Sequence, residues 1–309
     1  MVVSTRKHLV LAGVLCTVLI GCGNIALAQR VKPGLPGMSP SKWITIKNTQ
    51  APGRVYRTPG TLSKTYKQED LYFKAWIPII YKDKFALMLG PHYRTEQLEF
   101  RDQGENPLEL LNHWNLRSFG MDIRSYLRVD SAAFLIMNFN MNQSGNLYDQ
   151  AGAVPVNFTL STVYLRKKSY NKEVGFGLIV NRSFDRVTPL PVFVFNYNFS
   201  QKSGIEISLP HKIAWRHNLS PTDILYVKTE VLTRAYWINC PEGNVDYAFR
   251  RTELDFGVAY NKQITKFFGA EVFGGYRTNL NTRLPGEISG VRTSGLAFSF
   301  EVYFRSPFK

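Results

Sequence analysis

The sequence predicts an all-β protein, a closed antiparallel transmembrane β-barrel of about twelve strands. Three observations carry this expectation. Residues 65–305 resolve into runs that alternate apolar and polar side chains, as a strand with one greasy and one wet face must. The runs hold about 12–15 residues, whereas strands of soluble domains usually hold about five or six and a tilted membrane strand needs about 9–11 in hydrocarbon. Mean hydropathy is −0.17, and the long apolar run Leu9 to Gly21 falls short of the ~20 residues of a spanning helix, which excludes a helical membrane bundle. An aromatic content of 14% excludes a disordered chain.

The N-terminus has the order of a secretory signal: Arg6, Lys7 and His8, an apolar core from Leu9 to Ile20, then Ala26-Leu27-Ala28. Residues 1–28 are read as that signal, with Gln29 first in the mature chain. Leu19-Ile20-Gly21-Cys22 also resembles a lipobox, at which a lipoprotein is cut and acylated on the cysteine. Both routes export the chain. Removing residues 1–28 takes away Cys16 and Cys22 and leaves Cys240, so no internal disulfide and no cysteine-based zinc site can form. Cys240 sits in a turn-like stretch that runs from Asn239 to Asn244. Residues 29–64 contain Pro33, Pro36, Pro40, Pro52 and Pro59, spaced to interrupt any ladder, and read as an irregular periplasmic lead-in.

The barrel is expected over residues 65–305, in runs near 65–81, 84–101, 114–129, 131–143, 154–167, 172–184, 187–199, 204–217, 223–238, 247–260, 264–278 and 293–305. Glycine recurs inside them and β-branched or aromatic residues dominate, which disfavours helix. In the third run Phe119, Met121, Ile123, Leu127 and Val129 face away from Asp122, Arg124 and Arg128. Leu254, Phe256, Val258 and Tyr260 oppose Glu253 and Asp255; Val272 and Tyr276 oppose Glu271 and Arg277; Leu296, Phe298, Phe300, Val302 and Phe304 oppose Ser299 and Glu301. Tyr81, Tyr164, Tyr197, Trp237, Tyr260 and Tyr276, near run ends, are expected to form interfacial girdles. Short turns such as Lys82-Asp83-Lys84 and Tyr170-Asn171-Lys172 join most runs. Sidedness disagrees in the N-terminal half: counted back from the C-terminus, the long connections near 102–113 and 144–153 fall on the periplasmic side, where turns should be short.

The run Ala75-Trp76-Ile77-Pro78 to Lys82-Asp83-Lys84-Phe85, then Gly90-Pro91-His92-Tyr93-Arg94, Leu116-Arg117-Ser118-Phe119-Gly120, Glu173-Val174-Gly175-Phe176-Gly177 and Pro189-Leu190-Pro191-Val192, resembles an outer-membrane β-barrel family common in Bacteroidota and known as a domain of unknown function. The resemblance implies an outer-membrane location and brings no substrate or catalytic residue. It also implies that a final strand with apolar outward positions is the signal read by the barrel-assembly machinery. Here Phe298, Phe300, Val302 and Phe304 supply it; Pro307 ends the strand, so Phe304 rather than Phe308 is the terminal aromatic and residues 306–309 are a tail.

Charged residues of both signs on the wet faces are the lumen-lining candidates: Lys74, Arg94, Glu96, Asp122, Arg124, Arg128, Lys228, Glu230, Arg234, Glu253, Asp255, Glu271, Arg277 and Glu301. Mixed signs suit ion pairs that fill a narrow barrel; charge rings of a selective pore are the other reading. His92, His113, His211 and His217 make no metal motif, and no phosphate loop, dinucleotide fingerprint or nucleophile elbow occurs, so neither cofactor nor enzyme is expected. An outer-rim hydrolase could still assemble its groups from separate strands, with His92 and His211 as candidates. A soluble or lipid-anchored periplasmic all-β binding protein is the remaining alternative. The net charge of +15, or +13 without Arg6 and Lys7, is dispersed and exported, which points away from nucleic acid and towards outer-membrane lipid, including lipopolysaccharide phosphates.

Overall fold

A computed structural model describes residues 33–57, 64–100, 115–146, 154–184, 186–240, 245–283 and 292–305. The signal at 1–28, Cys22, Phe308 and the tail at 306–309 lie outside them. Among the described residues there is no helix, and 15 strand segments form one sheet. In chain order they are β1 (Lys42–Arg57), β2 (Lys64–Ala75), β3 (Ile77–Tyr81), β4 (Phe85–Phe100), β5 (Leu116–Arg128), β6 (Ala133–Gly145), β7 (Val156–Ser169) and β8 (Lys172–Ser183). The series continues with β9 (Arg186–Asn198), β10 (Ser203–Leu209), β11 (Lys212–Asn218), β12 (Asp223–Cys240), β13 (Val245–Gln263), β14 (Phe268–Arg283) and β15 (Arg292–Arg305). Both β2 and β3 pair with β4, so they are two pieces of one span broken at Trp76. The protein is therefore a closed antiparallel barrel of 14 spans, with β1 joining β15 to β2.

Two strands separate this count from the expected twelve. The first is β1, which lies inside the stretch read as lead-in. Ile44 and Ile46 follow the alternation, and Pro52 sits in the register shift between Gln50 and Val55, where a missing N–H costs no ladder bond. The second comes from the run at 204–217, which is a hairpin. Its turn holds only Pro210 and His211, and Ile207 pairs with Ile213, so outward residues keep the same parity on both arms and the alternation runs through the turn unbroken.

The extra strand corrects the sidedness. Connections at 82–84, 129–132, 170–171, 199–202, 219–222 and 264–267 all lie at one end, together with the start of β1 and the end of β15. The strand ends that flank 101–115, 146–155 and 284–291 lie at the other. A barrel with short turns at the end that holds both termini is the outer-membrane arrangement.

The outer surface is apolar. Leu296, Phe298, Phe300 and Phe304 are 43–57% exposed, while Ala297, Ser299, Glu301 and Tyr303 between them are at most 8% exposed. In water each such half-exposed side chain would forgo about half of the ~1.5–3 kcal/mol that full burial is worth, and the same pattern recurs around the wall, for example at Phe256, Val258, Val272 and Tyr276. Hydrocarbon removes that penalty. Of the expected girdle, Tyr164, Tyr260 and Tyr276 are exposed outwards; Trp237 instead packs on Phe184, with ring centroids 5.3 Å apart, and is no girdle residue.

Candidate functional site

Closing a barrel of this size leaves an interior that side chains must fill or water must occupy. Towards the long-loop end they fill it. Glu253 accepts from Arg54, lies 3.3 Å from Arg251 and faces Arg277; Arg277 forks onto Asp255 at 2.6 and 2.8 Å. Glu96 accepts from Arg251, from Tyr236 Oη at 2.7 Å and from Gln68 Nε2 at 2.7 Å, and Arg234 joins it to Asp70. Arg54, Gln68, Glu96, Tyr236 and Arg277 are all fully buried. Carboxylates of this layer come from β2, β4 and β13, and cations from β1, β12, β13 and β14, so the network ties opposite walls together.

A second layer lies nearer the short turns. Glu271 accepts from Lys42 at 3.0 Å and Lys228 at 2.9 Å; Glu301 accepts from Lys42, and Lys228 reaches Glu230 at 3.3 Å. A third group is centred on Asp122, which takes Lys74, His92 Nδ1 at 3.3 Å and the amides of Asn138 and Asn140 at 3.3 and 3.1 Å. Lys74 and Arg124 both stand on the Trp76 ring, at 4.2 and 4.3 Å, and Arg94 lies 3.6 Å from Asp70.

Thirteen of the fourteen charged positions read from the alternation therefore join these inward groups, while Arg128 bonds the Asp130 carbonyl at the mouth. Sequence reasoning missed Lys42 and Arg54, because the five prolines of 29–64 make the stretch that holds β1 read as lead-in. It also missed Asp70, Glu173, Glu206 and Arg216. The buried Gln68 and Asp70 on one face of β2 were a readable signal, since they keep the parity of Lys74.

The segment from Pro33 to Ser41 forms a strap across the short-turn mouth. Gly34 N donates to Glu173 at 3.0 Å, the Pro36 carbonyl accepts from Asn198 at 2.9 Å, and Ser39 N donates to the Tyr226 hydroxyl at 3.3 Å. These anchors belong to β8, β9 and β12, across the bore from β1, and Leu35 is 6% exposed. Gly37 has φ +79°, and a Cβ there would stand 2.4 Å from Arg216 Nη1. Beside the strap a cavity of about 210 Å³ remains between Trp43, Trp76, Arg124 and Arg128.

Between the strap and the long-loop layer lies a larger cavity, of about 460 Å³. One wall carries Asn140, Asn142, Asn157 and Asn181; the other carries Lys74, His92 and Arg94. His92 and His211 both line it, but His92 Nε2 abuts Gly120, where an added Cβ would sit 2.8 Å away, and His211 Nδ1 meets the Val231 carbonyl at 3.0 Å. The Ser203–His217 contact of 2.7 Å joins the outward faces of β10 and β11, away from this cavity. Among the described residues no cluster of three His, Cys, Asp or Glu could hold a metal.

Comparison with known proteins gives the following. Residues 156–286 match the family described as Domain of unknown function (DUF6268). No curated protein sequence matches the chain. Among solved structures, an outer membrane channel of Pseudomonas putida F1 is 10% identical, covers 89% of this chain and 99% of its own, and has a TM-score of 0.47. A FadL homologue of Pseudomonas aeruginosa is 8% identical over 84% of this chain and 88% of its own, TM-score 0.44. The toluene transporter TodX of P. putida is 9% identical over 86% and 90%, TM-score 0.40.

Proposed function

We propose that the chain is an outer-membrane barrel acting as a narrow channel for small polar solutes, held shut along its axis in the conformation described. The observation that carries this reading is the polar cavity of about 460 Å³, lined by Asn140, Asn142, Asn157 and Asn181 and by Lys74, His92 and Arg94, and bordered by Arg234 and Tyr236 of the buried ion network. A purely structural barrel needs no such space. The outer-membrane location is supported by strand length, closure and the apolar outer belt, since a sheet in lipid must satisfy every backbone group internally. The reading requires no cofactor and no catalytic group.

The test is planar-bilayer recording of the refolded mature protein and of a variant lacking residues 29–41. The intact protein should conduct rarely or in small steps, and removing the strap should raise both step size and open time. The asparagine wall and the cations facing it should then favour anions. Silence from both proteins would sink the channel reading and leave a structural barrel.

A further inference from the structure

The hairpin of β10 and β11 has arms of 7 residues, against 13 and 18 in its neighbours β9 and β12. It therefore ends partway up the wall. Among the described residues, β9 has no ladder partner on that side beyond Phe193, which pairs with Leu209, and β12 has none beyond Val231, whose N–H meets the His211 carbonyl, until Trp237 meets Gly145 of β6. The result is a window with four defined sides: β9 from Val187 to Pro191, β12 from Val231 to Trp237, Pro210 and His211 below, and the Phe184–Trp237 contact with Arg250 bonded to the Ser183 carbonyl at 2.9 Å above.

Three observations indicate that this gap belongs to the design of the wall. Val187, Thr188, Pro189, Leu190 and Pro191 are exposed in succession, where a strand in an intact wall alternates. Asn198 N bonds Asn171 of the β7–β8 turn, so even-numbered N–H groups of β9 point towards β8 and odd-numbered ones towards the gap. Pro189 and Pro191 are odd, so both remove a donor from the edge that no strand covers. Thirdly, the 460 Å³ cavity is lined both by lumen residues such as Lys74 and by His211 and Thr233, which are exposed on the outside.

We propose that the cavity opens sideways through this window into the bilayer, and that its occupant is a lipid-like molecule with an anionic headgroup. Lys74, Arg94 and Arg234 line the cavity beside Asp122; Asp122 pairs with Lys74, and Asp70 and Glu96, which pair with Arg94 and Arg234, do not line it, so the cavity surface presents mainly cationic donors, which suit an anion. Arg234 is 7% exposed and its Nε has no hydrogen-bond partner among the described residues. The frame favours a tail, because Val187, Leu190 and Leu209 are 62, 40 and 42% exposed at the rim. The edge of β12 between them requires something polar. Val231 N bonds the His211 carbonyl, so the N–H and C=O groups of Thr233 and Ala235 also face the window, and unpaired backbone in hydrocarbon costs several kcal/mol per group. A headgroup drawn through the window meets that demand while its chain stays in lipid.

This inference keeps the cavity of the channel reading but not its axial path. The experiment uses the full mature protein in nanodiscs containing phosphatidylglycerol with a photoreactive group on its headgroup, and crosslinked peptides are mapped by mass spectrometry. Labelling of peptides carrying Lys74, His92 or Arg94 is expected, beside annular labelling of the outer wall. Ala235→Trp and, separately, Thr233→Trp should abolish the lumen labelling and leave the annular labelling, with heat-modifiable gel mobility confirming the barrel. Absence of lumen labelling in the unmodified protein overturns the proposal, as does lumen labelling that persists in a folded Trp variant. Equal labelling by phosphatidylcholine overturns the anionic preference. The result is independent of conductance: a labelled lumen with a silent strap deletion would keep the window and discard the axial channel.

Discussion

Glu253 faces Arg54, Arg251 and Arg277, and all four side chains are withdrawn from water. Removing one member of a buried ionic group leaves its partners desolvated and unpaired, at a cost of about 3–5 kcal/mol. Glu253→Ala should lower stability by that amount in urea titration of the barrel in lipid vesicles, and the double change Arg54→Met with Glu253→Leu should recover part of the loss. On the opposite face of the wall the cost has another origin. Phe300, 52% exposed on the outer surface, should tolerate Arg only at a loss of about 2–4 kcal/mol, because the charge enters hydrocarbon. Thr159, which faces the cavity, should accept the same side chain with a far smaller change. The alternation made this difference between faces legible residue by residue. What it could not give was partnership: Glu96 and Arg251 meet across 155 positions of sequence, and only closure brings their strands together.

At the scale of elements, legibility follows how loudly a segment alternates. The strand β15 alternates without exception, and its sequence pattern places both ends to within a residue or two. The outward face of β1 starts with Ile44 and Ile46 and continues with Asn48 and Gln50, so half its signal is polar. The β10–β11 hairpin failed for the opposite reason, since its two-residue turn preserves the period and only Pro210 inside the run betrayed it. The strap offers a test at this scale. Gly37→Leu should displace residues 33–41 from Arg216, because φ +79° strains any residue with a Cβ and the added side chain would push against the ends of Arg216 and Asn218; conductance should rise while heat-modifiable mobility is kept. At the far end of the chain, Phe304 packs edge-on against Phe268 at 5.5 Å and pairs with Ile44. We propose that it is the terminal aromatic of the assembly signal: Phe304→Asp should leave the chain uninserted, and deletion of 306–309 should not. Equal loss from both would place the signal elsewhere.

The whole molecule depends on a closure that its N-terminal strand completes. With β1 in place β15 pairs with it on one side and β2 on the other, and no sheet edge is left at this seam of the barrel. Take β1 away and two edges of more than ten residues each face hydrocarbon, with several kcal/mol lost for every unpaired group. Those edges could rejoin only by bringing two adjacent strands of the same direction together, since β2 and β15 are each antiparallel to β1, and the register of Arg54 against Glu253, Gln68 and Thr293 would vanish with it. Two truncations separate this view from one in which everything before residue 65 is a dispensable lead-in. Deleting 29–41 removes the strap alone and should leave a heat-modifiable, protease-resistant barrel in the membrane fraction. Deleting 29–57 also removes β1, and the expected outcome is an uninserted chain cleared by periplasmic proteases. A folded barrel from the second truncation would mean that 13 spans can close on themselves, and the role given to β1 would be wrong.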